Sequence, residues 1–159
     1  MWSKSIRIMN RIFENLTAVL LAIMVILVFI QIVSREIINS SFPWTEEVAR
    51  YMMIWIAFLG GSIAFQYGAH IGIDYFKDRM PRMIQKGFGI LTFLACSLFF
   101  FFMVKYGFEI VGRSMIQTSP ALRIPMGYVY IAIPLSGLLM FINLVDITFI
   151  KSKQQTRVR

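Results

Sequence analysis

Side chains able to do chemistry are few in this 159-residue chain and fall in a handful of places. Glu46, Glu47 and Arg50 stand within five positions, beside Trp44, Tyr51 and Trp55. Ion pairing is the chemistry on offer there, and two readings stay open: the charged first turn of a helix at a membrane surface, or a docking site for another protein. His70 is the only histidine, with Asp74 four residues on. A b-type haem anchor takes two axial ligands from helices, and a metal centre needs several ligands. One histidine at a helix end supplies neither, so the pair reads as a polar cap. Glu14 invites comparison with the carboxylate by which small four-helix multidrug exporters bind cations and protons. Here it follows Arg11 by three residues and reads as half of a surface ion pair. Lys105, Glu109 and Arg113 repeat at i,i+4 and make one charged stripe on a helix. The single Cys96 excludes an intramolecular disulfide and any exchange chemistry that needs cysteine pairs. No phosphate loop or nucleophile–base constellation is present, so neither an enzyme, a cofactor nor a metal is expected.

The elements that must carry these residues are set by hydropathy. The chain is 58% hydrophobic with a mean hydropathy of +0.70, far outside the soluble range. Apolar runs cover 13–34, 51–66, 88–104 and 126–150. A spanning helix needs about 20 mostly apolar residues. The expectation is an all-α membrane protein with four transmembrane helices, at about 13–34, 46–68, 85–106 and 126–150, in one domain over 1–159. Ahead of them Trp2, Ile6, Met9 and Phe13 share one helical face and Lys4, Arg7 and Arg11 the other, which predicts an interfacial amphipathic helix. The apolar run after it is too long for a signal peptide and no A-x-A site follows, so the first helix stays as an anchor.

Within the second crossing, Pro43 suits a first helical turn and Thr45 an N-cap. Glu46 and Glu47 then meet the positive end of the helix dipole, and Glu46 is placed to pair with Arg50. Lower down, Ala57, Gly61, Ala64 and Gly68 fall on one face, and Gly60, Ala64 and Gly68 repeat every four residues. Such faces let helix backbones approach closely in lipid, whether the partner is in the same chain or another. The third crossing carries Phe99, Phe100, Phe101 and Phe102, read as lipid-facing, and its helix continues through Lys105, Glu109 and Arg113. The fourth opens with Pro120 and Pro125, is kinked by Pro134, and places Tyr128 and Tyr130 in an aromatic belt.

The net charge of +8 is used by topology, not by nucleic acid. Lys4, Arg7, Arg11, Lys77, Arg79, Arg82, Lys86, Lys151, Lys153, Arg157 and Arg159 fall on one side, eleven of the 16 basic residues. Both termini are therefore expected in the cytoplasm. Segment interiors hold little beyond Thr17, Gln31, Ser62, Thr92, Ser97, Ser136 and Asn143, and no inverted repeat is evident. A carrier normally shows ionisable residues or broken helices at the midplane.

Four spans with WTEEVARY, then W-x3-LGG at Trp55–Gly61, then HIGID, then SPALRIPMGYVYIAIP resemble the small, DctQ-like membrane subunit of tripartite ATP-independent periplasmic (TRAP) transporters. The likeness covers nearly the whole chain. It implies a bacterial inner-membrane system with a large multi-span transport subunit and a periplasmic solute-binding protein. Such systems take up organic acids on a sodium gradient, and the large subunit holds the substrate and ion sites. The small subunit is implied to scaffold the large one and to help dock the binding protein. The overall likeness leans to sialic acid, with C4-dicarboxylate the rival. Trp44, Glu46, Glu47, Arg50, Trp55, Gly60, Gly61, Ala64, Lys105, Glu109 and Arg113 are the candidate partner interface. Two other classes remain open: an autonomous small four-helix transporter, and a membrane anchor of a redox enzyme.

Overall fold

The computed structural model describes residues 2–37, 42–67 and 82–148, which are helical apart from their connections. The helices are α1 (Trp2–Ile37), α2 (Pro43–Gln66), α3 (Arg82–Ser114), α4 (Gly127–Tyr130) and α5 (Ala132–Asp146). Four stretches are long and apolar enough to cross a membrane: Ser5–Ile37, Pro43–Gln66, Gly89–Ser114 and Gly127–Asp146, the last formed by α4 and α5 together. Gly68, His70, Asp74, Lys77, Arg79 and the tail beyond 148 lie outside the described residues.

No glycine or proline interrupts α1, and its 36 residues run unbroken for about 54 Å at 1.5 Å per residue. The amphipathic amino end therefore leads into the first crossing as one continuous helix. Its inward residues are Ile6 and Asn10, one turn apart, while Arg7, Ile8, Arg11 and Ile12 stay exposed.

α2 starts three residues earlier than its cap signal suggests. Pro43 is the first helical residue and Phe42 takes the cap position in an extended conformation. The fixed φ of proline and its missing N–H suit that first position. Thr45 is consequently inside the helix, fully buried, and its hydroxyl donates to the Phe42 carbonyl at 2.7 Å. It is not the N-cap.

The last crossing is the centre of the bundle. Of its most apolar window 44% is buried, against none of that in α1. α3 lies against it through small residues: a Cβ on Gly107 would meet Pro134 at 2.9 Å, and one on Gly137 would meet Val104 at 3.0 Å. Close backbone approach of this kind gives the contact that holds helices together in lipid. Toward the foot, Phe65 of α2, Phe100 of α3 and Leu144 of α5 form the core, with Phe93, Cys96, Met140 and Ile147 around them. Phe65 and Phe100 meet edge-to-face at 5.2 Å. Phe99, Phe101 and Phe102 do face outward, but Phe100 is buried. Successive residues turn about 100° on a helix, so four in a row cannot share one face.

The interruption of the fourth crossing falls at Ile131, three residues ahead of Pro134. Pro134 sits in the first turn of α5, where its absent N–H costs nothing, and its ring excludes a regular helix through the carbonyl four residues back.

Candidate functional site

Glu46 and Glu47 are neighbours, yet the turn of the helix sends them to opposite fates. Glu47 points inward and is the one charged residue that is buried among those described. Its carboxylate accepts from the Tyr51 hydroxyl one turn below and from the backbone N–H groups of Ala121, at 2.8 Å, and Leu122, at 3.2 Å. The Ser119 hydroxyl adds a further hydrogen bond. The two amides belong to the loop that joins α3 to α4, and this loop is itself tightly closed. Met126 donates its N–H to the Gln117 carbonyl at 2.8 Å, Ser119 to Ile124 at 2.9 Å, and Arg123 to Ser119 at 3.1 Å. Thr118 and Pro125 pair as an isolated bridge. Arg123 turns the chain at φ 55°, a left-handed conformation uncommon outside glycine. The Glu47 carboxylate is thus the peg on which the loop hangs.

Glu46 faces out. Arg50 donates to it at 2.9 Å and Gln31 of α1 approaches it at 3.4 Å, with both members of the ion pair more than half exposed. Trp44 is exposed beside them, and Pro43, Trp44, Pro120 and Ala121 line a shallow open hollow. The sequence cluster is therefore divided: Glu47 serves the fold, while Trp44, Glu46 and Arg50 are presented at its surface.

The small-residue face is divided as well. Gly61 lies against Met140, whose Cε would be 3.2 Å from an added Cβ. Gly60 has nothing within 4 Å of that position, and Ala57 and Ala64 are exposed. Trp55 is half-buried. On α3, Lys105, Glu109 and Arg113 form the expected stripe and all three are exposed; Arg113 donates to Glu109 at 2.6 Å. Glu14 takes its hydrogen bond from the Tyr67 hydroxyl at 3.2 Å rather than an ion pair from Arg11. Tyr67 at the foot of α2 reaches across to α1, which sequence spacing had no means to show.

A second polar centre is buried toward the foot of the bundle. Asn10 donates to Asn143 at 2.8 Å, and the Asn143 amide returns bonds to Asn10 and to the Ser62 carbonyl, each at 3.3 Å. All three residues are buried. Sequence reading noted Ser62 and Asn143 as scattered polar residues and passed over Asn10. The available signal was Asn10 one turn after Ile6, on the inward face of an otherwise apolar helix. These groups bond to one another and join α1, α2 and α5. Among the described residues no three His, Cys, Asp or Glu side chains gather as a metal centre.

Residues 24–152 match the family described as tripartite ATP-independent periplasmic transporters, DctQ component. The chain belongs to the DctQ family. It is 29% identical over 131 residues to a putative TRAP transporter small permease protein of Haemophilus influenzae, covering 82% of this chain and 81% of that one. It is 30% identical over 108 residues to the C4-dicarboxylate TRAP transporter small permease protein DctQ of Rhodobacter capsulatus, covering 67% and 48%. With the sialic acid TRAP transporter permease protein SiaT of Haemophilus influenzae it shares 24% identity over 123 residues, 77% of this chain but 20% of that protein. In SiaT the DctQ-like stretch is thus a fifth of a longer permease chain. This chain is a small permease subunit of a TRAP transporter, a multi-pass protein of the inner membrane.

Proposed function

We propose that this chain is the non-translocating small subunit of a sodium-driven TRAP system that takes up an organic acid, either sialic acid or a C4-dicarboxylate. The observation that carries the reading is the bundle interior. Its buried polar side chains Asn10, Ser62, Ser136 and Asn143 bond within the chain and its buried carboxylate holds a loop; among the described residues Ser97 Oγ and Asp146 Oδ1 are the buried side-chain atoms without a partner. A translocating protein lines a path through its interior with ionisable residues or broken helices near mid-membrane. Comparable identity to relatives named for sialic acid and for C4-dicarboxylate supports a subunit that does not itself choose the solute. The SiaT match supports a large membrane partner, since there the small-subunit stretch is part of a longer permease.

In this reading the termini are cytoplasmic, and the head of α2 with the 115–126 loop faces the periplasm. Trp44, Glu46 and Arg50 there form a surface for the large subunit or the binding protein. The purified chain in liposomes under an inwardly directed sodium gradient takes up no solute, whereas co-reconstitution with its large subunit and binding protein restores sodium-dependent uptake. Uptake by the lone chain above empty liposomes overturns the reading and favours an autonomous transporter; a haem spectrum in the purified chain favours a redox anchor. Reporter fusions after Arg159 and within 81–86 report cytoplasm, and a periplasmic signal at either position reverses the topology.

A further inference from the structure

The charged stripe of α3 lies deeper than its distance along the sequence suggests. Gly127–Asp146 is 20 residues long, about 30 Å of helix, which matches the hydrocarbon thickness of a bilayer. Gly137 stands halfway along it, and its Cβ position is 3.0 Å from Val104. Lys105, the next residue, is therefore level with the middle of that crossing. Near the upper end, the Cβ position of Gly127 is 2.8 Å from the Val111 carbonyl. The stripe thus climbs from mid-depth at Lys105, through Glu109 about 6 Å higher, to Arg113 about 12 Å higher, near the head of the bundle.

All three side chains point away from the bundle and are exposed. Glu109 and Arg113 bond to each other at 2.6 Å. Lys105 has no carboxylate within 4.0 Å among the described residues; its ammonium lies 5.7 Å from the centre of the Tyr106 ring. A lysine can extend its stem about 6 Å toward an interface, well short of the roughly 15 Å from mid-bilayer to either surface. Charged side chains inside the membrane face protein or water rather than lipid. Beside the stripe, Gly112 has open space where a Cβ would be, and Tyr106, Glu109, Ile110 and Arg113 line a shallow hollow. A second helix can come close there, and the face carries one charge it cannot neutralise itself.

We propose that the outer face of α3 from Lys105 to Arg113 is the surface on which a membrane helix of the large subunit lies, with a carboxylate of that helix opposite Lys105. This rests on the reading of the chain as a TRAP small subunit. The charge at mid-depth singles out this face over the small residues Ala57, Gly60 and Ala64 of α2, where close packing needs no charged partner.

The test uses the tagged full-length chain co-expressed with the large subunit of the same system. A photo-crosslinking side chain placed at Tyr106 or Ile110, both exposed, couples to the large subunit, whereas one at Phe29 on the outside of α1 does not. Lys105→Glu lowers the large subunit recovered with the tagged chain by about tenfold or more, and Lys105→Arg retains it. Recovery of each variant chain itself, expressed alone, controls for insertion and folding. If the parent chain recovers no large subunit, the small-subunit reading fails and this surface with it. If the parent does recover it, but probes at Tyr106 and Ile110 reach only lipid or a second copy of this chain, the surface assignment alone fails. Full recovery with Lys105→Glu removes the carboxylate partner.

Discussion

Two regions of this protein carry charge into an apolar surround, and they handle it in opposite ways. At the head of α2, Glu47 is buried but surrounded by donors from its own chain: Tyr51, Ser119 and the Ala121 and Leu122 amides. On the outside of α3, Lys105 is exposed at mid-height with an aromatic ring beside it and no carboxylate in reach among the described residues. A buried polar group left without partners costs free energy, so a charge that finds all its partners at home holds the fold together. A charge left bare at depth faces protein or water rather than lipid, which is the ground for the proposed partner surface. The corner and the face are thus candidates for different work, one intramolecular and one intermolecular.

The largest effect that separates them is expected from Glu47→Ala. Losing the acceptor frees the 117–126 loop, and the thermal midpoint of the chain in detergent falls by roughly 5–10 °C. Glu47→Gln keeps one acceptor oxygen and falls less. An unchanged midpoint for Glu47→Ala would mean that the corner does not hold the fold.

The glycines give the same contrast with one substitution. A Cβ at Gly127 would sit 2.7 Å from Met115 Sδ and 2.8 Å from the Val111 carbonyl, so Gly127→Ala costs about 1–3 kcal/mol of stability. Gly112→Ala on the bare face meets nothing and improves helix propensity by up to about 1 kcal/mol. Yet the same methyl group should weaken recovery of the large subunit if a helix lies there. Unfolding midpoints and co-purification, measured on both variants, sharpen the comparison; equal effects on both readouts would erase it.

Smaller again is Asn10→Ala, which removes the reciprocal bonds to Asn143 and costs about 0.6–1.7 kcal/mol, read by denaturant titration in micelles. The smallest change is Arg50→Ala. The Glu46–Arg50 pair is solvent-exposed and contributes at most about 0.5 kcal/mol to the fold. Its loss should leave stability intact while lowering uptake by the complete system, if the head of α2 is a docking surface. Unaltered uptake would reduce the pair to a surface decoration.

Much of the architecture was legible without coordinates. Four crossings follow from contiguous apolar runs, and the 33-residue α3 from the absence of any proline between Arg82 and Ser114. The pairs Glu46–Arg50 and Glu109–Arg113 are one helical turn apart, and spacing alone names them. The family follows from the order of WTEEVARY, W-x3-LGG and SPALRIP along one chain. The candidate site was legible as a cluster but not as an arrangement. Glu47 meets Ala121 across 74 positions and Asn10 meets Asn143 across 133, distances at which periodicity carries no information. Thr45 misled for a local reason: proline outranks threonine in setting where a helix begins.

Hydropathy is a sum over neighbouring residues, and side-chain spacing on a helix is fixed by its pitch. The sequence by itself therefore determined that the chain lives in a membrane, crosses it in four helices, and carries charge at the head of α2 and along α3. Whether a charge is satisfied depends on what distant segments bring within about 3 Å of it. Only the tertiary structure decided that Glu47 is a peg and Glu46 is not, that Asn10 is a link between three helices, and that Lys105 is level with the middle of the fourth crossing. The close approach of Gly137 to Val104 sets that last level, because it fixes the height of one helix against another.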